Sequence, residues 1–210
     1  TNVTERIEKL YGKELKNYQS PMESSYRPEL DATGLLTENE HTQYQMLVGW
    51  GNWVITLGRY DVHYAVSTMA RYSAAPREGH VAAMMRIFGY LKYYKKHCII
   101  VDPTKPFVDE TKIIKQDWQE LYPGLVEELP PNMLEPKGMS VKLTTYMDAD
   151  HASDQVTRKS VTGILMFANN TAVKWFCKRQ NTVETSTYGS ELVAGRIATE
   201  LAMEMRYKLR

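Results

Sequence analysis

The densest chemistry in the chain lies at Asp148-Ala-Asp150-His151-Ala-Ser-Asp154. Three carboxylates at the end of a strand offer hard oxygen ligands to a divalent cation. The run lacks the central glycine and terminal glutamate of a calcium-hand loop, so that geometry is not expected. A polar loop with local side-chain caps uses the same residue types, and spacing alone leaves both readings open. A further carboxylate, Glu191, stands beside Leu192, Val193 and Ala194 in the first turns of a predicted helix. If that helix crosses the sheet that carries Asp148, the two carboxylates converge on one Mg2+ or Mn2+. Two such ions activate a water and stabilise the leaving oxygen of a phosphodiester, in a site of about four carboxylates. Asp148 and Glu191 are the best pair, and no aspartate follows them.

Arg158-Lys159-Ser160 and Lys178-Arg179-Gln180-Asn181-Thr182 sit at the ends of predicted strands. Arg158, Lys159, Lys178, Arg179, Gln180 and Asn181 are candidate contacts to a nucleic-acid backbone, because cations and amide donors match phosphate oxygens. Solvation of strand ends calls for the same residues. The five histidines show no metal-ligand spacing, and neither Cys98 nor Cys177 has a second cysteine nearby. His80 reads as a buried or interfacial helix residue and Trp175 as core.

These residues need elements to hold them. Val3, Ile7 and Leu10 mark a short helix within Thr1–Leu10, followed by an irregular stretch broken by Pro21 and Pro28. Tyr44, Leu47, Val48, Gly51, Val54 and Ile55 fall on one helical face. Asp61 is expected to cap a helix bearing Val62, Ala65, Val66 and Met69. A third helix begins near Pro76, with Val81, Met84, Met85, Phe88 and Leu91 as its stripe. None of the three buries its stripe alone, so a small bundle is predicted. From Val141 the period shortens to two and gives a strand ending at Asp148. Gly163–Phe167 and Ala172–Cys177 follow as strands, with Asn169-Asn170 as the turn, so the three form an antiparallel meander. Thr185 or Ser186 caps the last helix, whose sheet-facing side is expected to hold Leu192, Ala194, Gly195, Ala198, Thr199 and Ala202. The fold class is therefore α+β or α/β: a small helical region, then three antiparallel strands covered by a helix.

Composition bounds the partners. The 210 residues carry 26 Lys plus Arg against 25 Asp plus Glu, a net charge of +1 that excludes a strongly basic nucleic-acid wrapper but not a basic groove. Two cysteines exclude a disulfide framework and point to a reducing, intracellular setting, and no secretory leader is visible. The uncharged stretch His41–Gly58 is interrupted by polar residues at helical spacing and reads as a buried helix, not a membrane span. Charge is blocked along the chain: net −3 over 1–40, +5 over 41–100, −4 over 101–140 and +3 over 141–210. The acidic block holds six prolines and reads as a linker or insertion, with Trp118, Leu121 and Tyr122 available to dock it. The helical pattern continues to Arg210, from which a piece of a longer protein is expected.

Several runs taken in order resemble a known family. Thr145–Asp154, Arg158–Gly163, Trp175–Gln180 and Ser190–Ala194 resemble the ribonuclease H domain of Copia-type retrotransposon polyproteins. Tyr44–Gly49, Arg59–Val66 and His80–Leu91 resemble the segment joining the reverse transcriptase of those elements to that domain, and Ile7–Met22 resembles the polymerase tail. The resemblance implies residues 1–40 as polymerase tail, 41–100 as helical connector, 101–140 as linker or insertion, and 141–210 as a truncated ribonuclease H-like domain. It implies hydrolysis of the RNA strand of an RNA–DNA hybrid, with the polymerase domain of the same polyprotein as partner and two Mg2+ or Mn2+ ions as cofactors. Asp148 would hold both ions, and Glu191 would hold one and help place the scissile phosphate. The third and fourth acidic residues of the family lie beyond Arg210, so the 210-residue chain is expected to have little activity alone. Thr187-Tyr-Gly189 departs from the family's usual Thr-Glu-Ala, and His151 stands where Trp is usual. The competing reading is a catalytically inactive remnant that serves as a nucleic-acid-binding or structural module.

Overall fold

The computed structural model describes residues 3–112, 117–126, 128, 131–135 and 137–209. The architecture is α+β, a helical unit followed by a three-stranded antiparallel sheet under one long helix.

The helical unit contains α1 (Val3–Tyr11), α2 (Glu38–Thr56), α3 (His63–Ala70) and α4 (Glu78–Tyr93). Thr37 starts α2. Its backbone N–H and its hydroxyl both donate to Glu40 Oε2, at 2.9 and 2.7 Å, which ties down the first turn. The stripes read from the sequence meet in one core, where Tyr44, Leu47, Val66, Met69, Met84 and Phe88 are buried. Ile7 and Leu15 belong to the same core, so the first forty residues pack as part of this unit. The Tyr44 hydroxyl donates to Met69 O across the core at 2.7 Å. His80 is buried there: its Nδ1 accepts from Arg77 N–H, and its Nε2 lies 3.0 Å from Pro28 O, which assigns the neutral tautomer protonated at Nε2.

Asp61 does not cap α3. A 3-10 turn, Tyr60–Val62, precedes the helix, and Asp61 instead receives the Arg59 guanidinium and the Tyr90 hydroxyl. Burial raises its pKa, but these donors outweigh burial and hold the carboxyl below its ordinary range.

The sheet consists of β1 (Leu143–Asp150), β2 (Val161–Ala168) and β3 (Thr171–Arg179), in spatial order β1-β2-β3. The expected meander is present, with Asn169 in the left-handed region (φ 53°) at the hairpin turn. β1 runs two residues past the predicted end at Asp148, because Ala149 and Asp150 still pair with Thr162 and Val161. The final helix, α6 (Thr187–Leu209), lies over β1 and β2. Ser186 caps it: its hydroxyl oxygen accepts Gly189 N–H at 3.1 Å. Ala194 and Ala198 are buried against the sheet, with Ile164 and Met166 beneath. Leu192, expected on that face, is 62% exposed, and Thr199 is exposed as well. The packed stripe runs instead through Ser190, Ala194, Ala198 and Ala202.

The proline-rich segment is pinned at its start, not through its aromatic residues. Asp102 N–H donates to Thr171 Oγ1 (2.8 Å), and Asn169 Nδ2 donates to Pro103 O (2.7 Å) at the β2–β3 turn. Trp118 of the short α5 (Trp118–Leu121) and Tyr122 just after it are exposed and stack on each other. Pro130 and Pro136 of this segment lie outside the described residues.

Among the described residues, polar and ring contacts join the helical unit to the sheet and its β1–β2 loop. Tyr60 packs against Trp175 with ring centroids 5.6 Å apart. Tyr64 Oη donates to Asp150 Oδ2 (3.2 Å), Arg71 pairs with Asp154 (3.2 Å), and Gln155 N–H donates to Glu29 Oε1 (3.0 Å).

Candidate functional site

Side chains alternate along β1, and the contacts fix which way. Met147 reaches toward Gly195 of α6, and its cross-strand partner Ile164 lies in the core beneath that helix. Asp148 and Asp150 therefore project from the other face, the one turned toward α3. Asp148 is exposed, and its cross-strand partner is Gly163, where a Cβ would meet nothing within 4 Å.

Glu191 comes from the α6 side but does not lie on the covered face. Its Oε1 accepts the backbone N–H of Ala149 at 3.3 Å. Ala149 faces away from β2 in its hydrogen bonding, so this N–H belongs to the open edge of β1. Asp148 and Glu191 thus lie within one strand residue of each other at that edge, approached from opposite sides of the sheet. The convergence over one face anticipated from the sequence is not what the structure has: Asp148 projects from the α3-facing side, and Glu191 meets the strand edge from the α6 side.

The first turn of α6 is held by a buried polar network. Gln180 Nε2 donates to Thr162 Oγ1 (3.0 Å) and to Ser190 O (2.9 Å), and Gln180 N–H donates to Ser160 O (2.8 Å). His151 Nδ1 lies 3.2 Å from Ser190 Oγ, whose hydroxyl donates to Thr187 O. Gln180 is 4% exposed and is engaged in positioning Glu191's helix, so it is not available to a nucleic-acid backbone. A polar residue after a strand gave no sequence signal for this; only the packing of α6 over its end buries it.

Asp154 leaves the carboxylate group too. It is buried and accepts Thr157 N–H (2.8 Å) and Val156 N–H (3.2 Å), besides pairing with Arg71 and Arg179. Burial raises its pKa; the Thr157 and Val156 bonds and the Arg71 charge outweigh this and hold it low. Arg179 is thereby engaged, through one guanidinium nitrogen, in an ion pair at 3.3 Å, and its side chain stays 36% exposed. Arg158, Lys178 and Asn181 are exposed and Lys159 is half-buried. Arg158 opens onto a cleft of about 700 Å³ between the helical unit and the β1–β2 loop, lined also by Arg71, His151 and Tyr64.

The donors at the β1 edge are all carboxylate oxygens, which in kind suits a hard ion such as Mg2+ rather than zinc. Asp148 and Glu191 would supply two ligands. Among the described residues, no group of three or more His, Cys, Asp or Glu side chains is placed to hold a metal. Cys177 lies on the α3-facing side of β3, and burial pushes its thiol up to about 11, which leaves it protonated at neutral pH.

Comparison with known proteins bears on this arrangement. The chain is 24% identical over 176 residues to the retrovirus-related Pol polyprotein from transposon RE1 of Arabidopsis thaliana, which covers 84% of this chain and 10% of the polyprotein. It is 27% identical over 162 residues to the retrovirus-related Pol polyprotein from transposon TNT 1-94 of Nicotiana tabacum, covering 77% and 9%. The chain is similar to retrotransposon Pol polyproteins. It spans about a tenth of the length of these two relatives. It is also 24% identical over 171 residues to the secreted RxLR effector protein 161 of Plasmopara viticola, covering 81% of this chain and 96% of that protein. No family model matches the chain, and no solved structure matches it. No helix among the described residues is long and apolar enough to cross a membrane.

Proposed function

We propose that this chain is the polymerase-to-ribonuclease H segment of a Copia-type retrotransposon polyprotein, whose complete product hydrolyses the RNA strand of RNA–DNA hybrids. The observation that carries this reading is the Glu191 carboxylate bonded to the strand N–H next to Asp148. Asp148 and Glu191 would hold the Mg2+ or Mn2+ ions. When bound, such ions polarise a phosphodiester and lower the pKa of an attacking water. The chain's own residues do the positioning. Ser186 and Gln180 fix the first turn of α6, which brings Glu191 to the β1 edge, while the β1–β2 pairing orients Asp148. Arg158, Lys159, Lys178 and Asn181 are the cations and donors left for phosphate contacts. Within these 210 residues the site has two of about four carboxylates, so the chain alone is inert toward hybrid.

The test is Mn2+-induced broadening of backbone amide resonances. Broadening centred on 148–150 and 190–192, lost in both Asp148→Asn and Glu191→Gln, is expected. Broadening spread over unrelated surface carboxylates overturns the reading, as does hybrid cleavage by the 210-residue chain that survives both substitutions.

The second reading, an inactive binding or structural remnant, is favoured by two observations. Asp148 and the body of α6 lie on opposite faces of the sheet, and the 24% identical stretch covers 96% of the secreted RxLR effector protein 161. Hybrid binding by the 210-residue chain with no Mn2+ response would support it.

A further inference from the structure

Between α3 and the face of the sheet that α6 leaves uncovered lies a second cleft of about 360 Å³. Its walls include Tyr60, Tyr64, Tyr146 and Trp175, with Asp148 at the rim and Asp150 beside Tyr64. Gly163 lines it, and a Cβ there would point into open space, so the missing side chain is what hollows the sheet face. Among the described residues, no Lys or Arg lines this cleft. Arg71, whose charge reaches Tyr64 and Cys177, is turned to Asp154. His63 is the one imidazole in the lining, and burial alone lowers its pKa, which keeps it neutral at pH 7. The Tyr64 hydroxyl fixes one Asp150 oxygen at 3.2 Å and leaves the other without a hydrogen-bond donor among the described residues.

Aromatic walls, two carboxylates and no cationic side chain match a positive, weakly hydrated guest. Ring faces attract such a charge through their quadrupole, and a carboxylate supplies the counter-charge. An inorganic divalent ion gains nothing from the aromatic walls and would keep its water shell. A neutral apolar guest would leave Asp150 facing an apolar group with no compensating bond. We propose that this cleft binds a small organic ammonium ion, seated over Gly163 between Tyr60, Tyr64 and Trp175, with Asp150 as its counter-ion. Asp150 is the carboxylate that the Asp148–Glu191 pair leaves unused, so this site stands whether or not the hydrolase reading does.

Choline is the probe, and dimethylbutanol, its uncharged isostere, is the control. Titrated into the 210-residue chain, choline shifts the Trp175 indole and Gly163 amide resonances saturably, and dimethylbutanol at equal concentration does not. Asp150→Asn weakens choline binding about tenfold. Gly163→Val, whose Cβ meets nothing within 4 Å, puts a side chain into the hollow and abolishes binding, while an unchanged melting temperature shows the sheet intact. Glu191→Gln leaves choline affinity unchanged while removing the Mn2+ response, which separates failure of this site from failure of the metal pair. Equal binding of the neutral isostere, or choline binding that survives Gly163→Val, overturns the proposal.

Discussion

Asp154 is the residue on which most of the loop between β1 and β2 depends. It sits in a buried pocket with two guanidinium partners and two backbone donors. Removing its charge leaves Arg71 facing an amide, so Asp154→Asn is expected to cost about 3 kcal/mol in urea unfolding. The sign of the pH dependence follows from the lowered folded pKa. The stabilisation is complete above the ordinary carboxyl value of 3.8 and is lost as pH falls through the lower folded value. Stability of the native chain should therefore fall more steeply below about pH 4 than that of Asp154→Asn. The sequence offered Asp154 as a metal ligand because residue type and spacing were all it had. A carboxylate next to a turn serves a metal or an arginine equally well, and the arginine in question lies 83 residues away.

At the scale of elements, close approaches decide which substitutions the helices tolerate. Gly89 of α4 passes so near the chain at Lys16 that an added Cβ would come 2.1 Å from Lys16 O and 2.8 Å from the Tyr18 ring. Backbone cannot yield as a side-chain tip can, so Gly89→Ala is expected to destabilise by about 1–3 kcal/mol. Gly49 of α2 is exposed, and a Cβ there meets nothing within 4 Å. Gly49→Ala should stabilise by about 0.5–1 kcal/mol through helix propensity alone. Thermal melts of the two variants should move in opposite directions. Helix and strand identities were legible from period because each buries one side. Leu192 was not, because α6 turns its stripe by small residues: Ala194 and Ala198 allow close packing on the sheet, and the larger Leu192 falls outside the contact.

Across the whole molecule, the helical unit and the sheet are joined by side chains from α3, the residue that ends it and the 3-10 turn before it. Tyr60, Tyr64 and Arg71 reach Trp175, Asp150 and Asp154 respectively. Joined units of this size should unfold together, with helix circular dichroism and tryptophan fluorescence giving coincident transitions. Arg71→Ala combined with Tyr60→Ala is expected to separate the two curves, the sheet unit melting at lower denaturant. Retained coincidence would show that the interface contributes nothing to cooperativity. Among the described residues, the acidic, proline-rich segment is bonded to the sheet at Asp102 to Thr104, where Asn169 donates to Pro103 O and Asn170 to the Thr104 hydroxyl.

The sequence by itself determined the main helices, the three-stranded meander, a cap at Thr185 or Ser186 and the residues from which a metal pair would be drawn. All of these follow from short-range physics: hydrophobic period, capping chemistry and turn propensity act over a few residues. Only the tertiary structure decided which polar residues remain free. Gln180 and Arg179 look like phosphate contacts until α6 and Asp154 arrive; α6 buries the first, and the Asp154 carboxylate pairs with the second. The meeting of Glu191 with Ala149 N–H at the open strand edge has the same origin. A partner distant in sequence leaves no trace in local pattern, and burial of polar groups is set by partners of that kind.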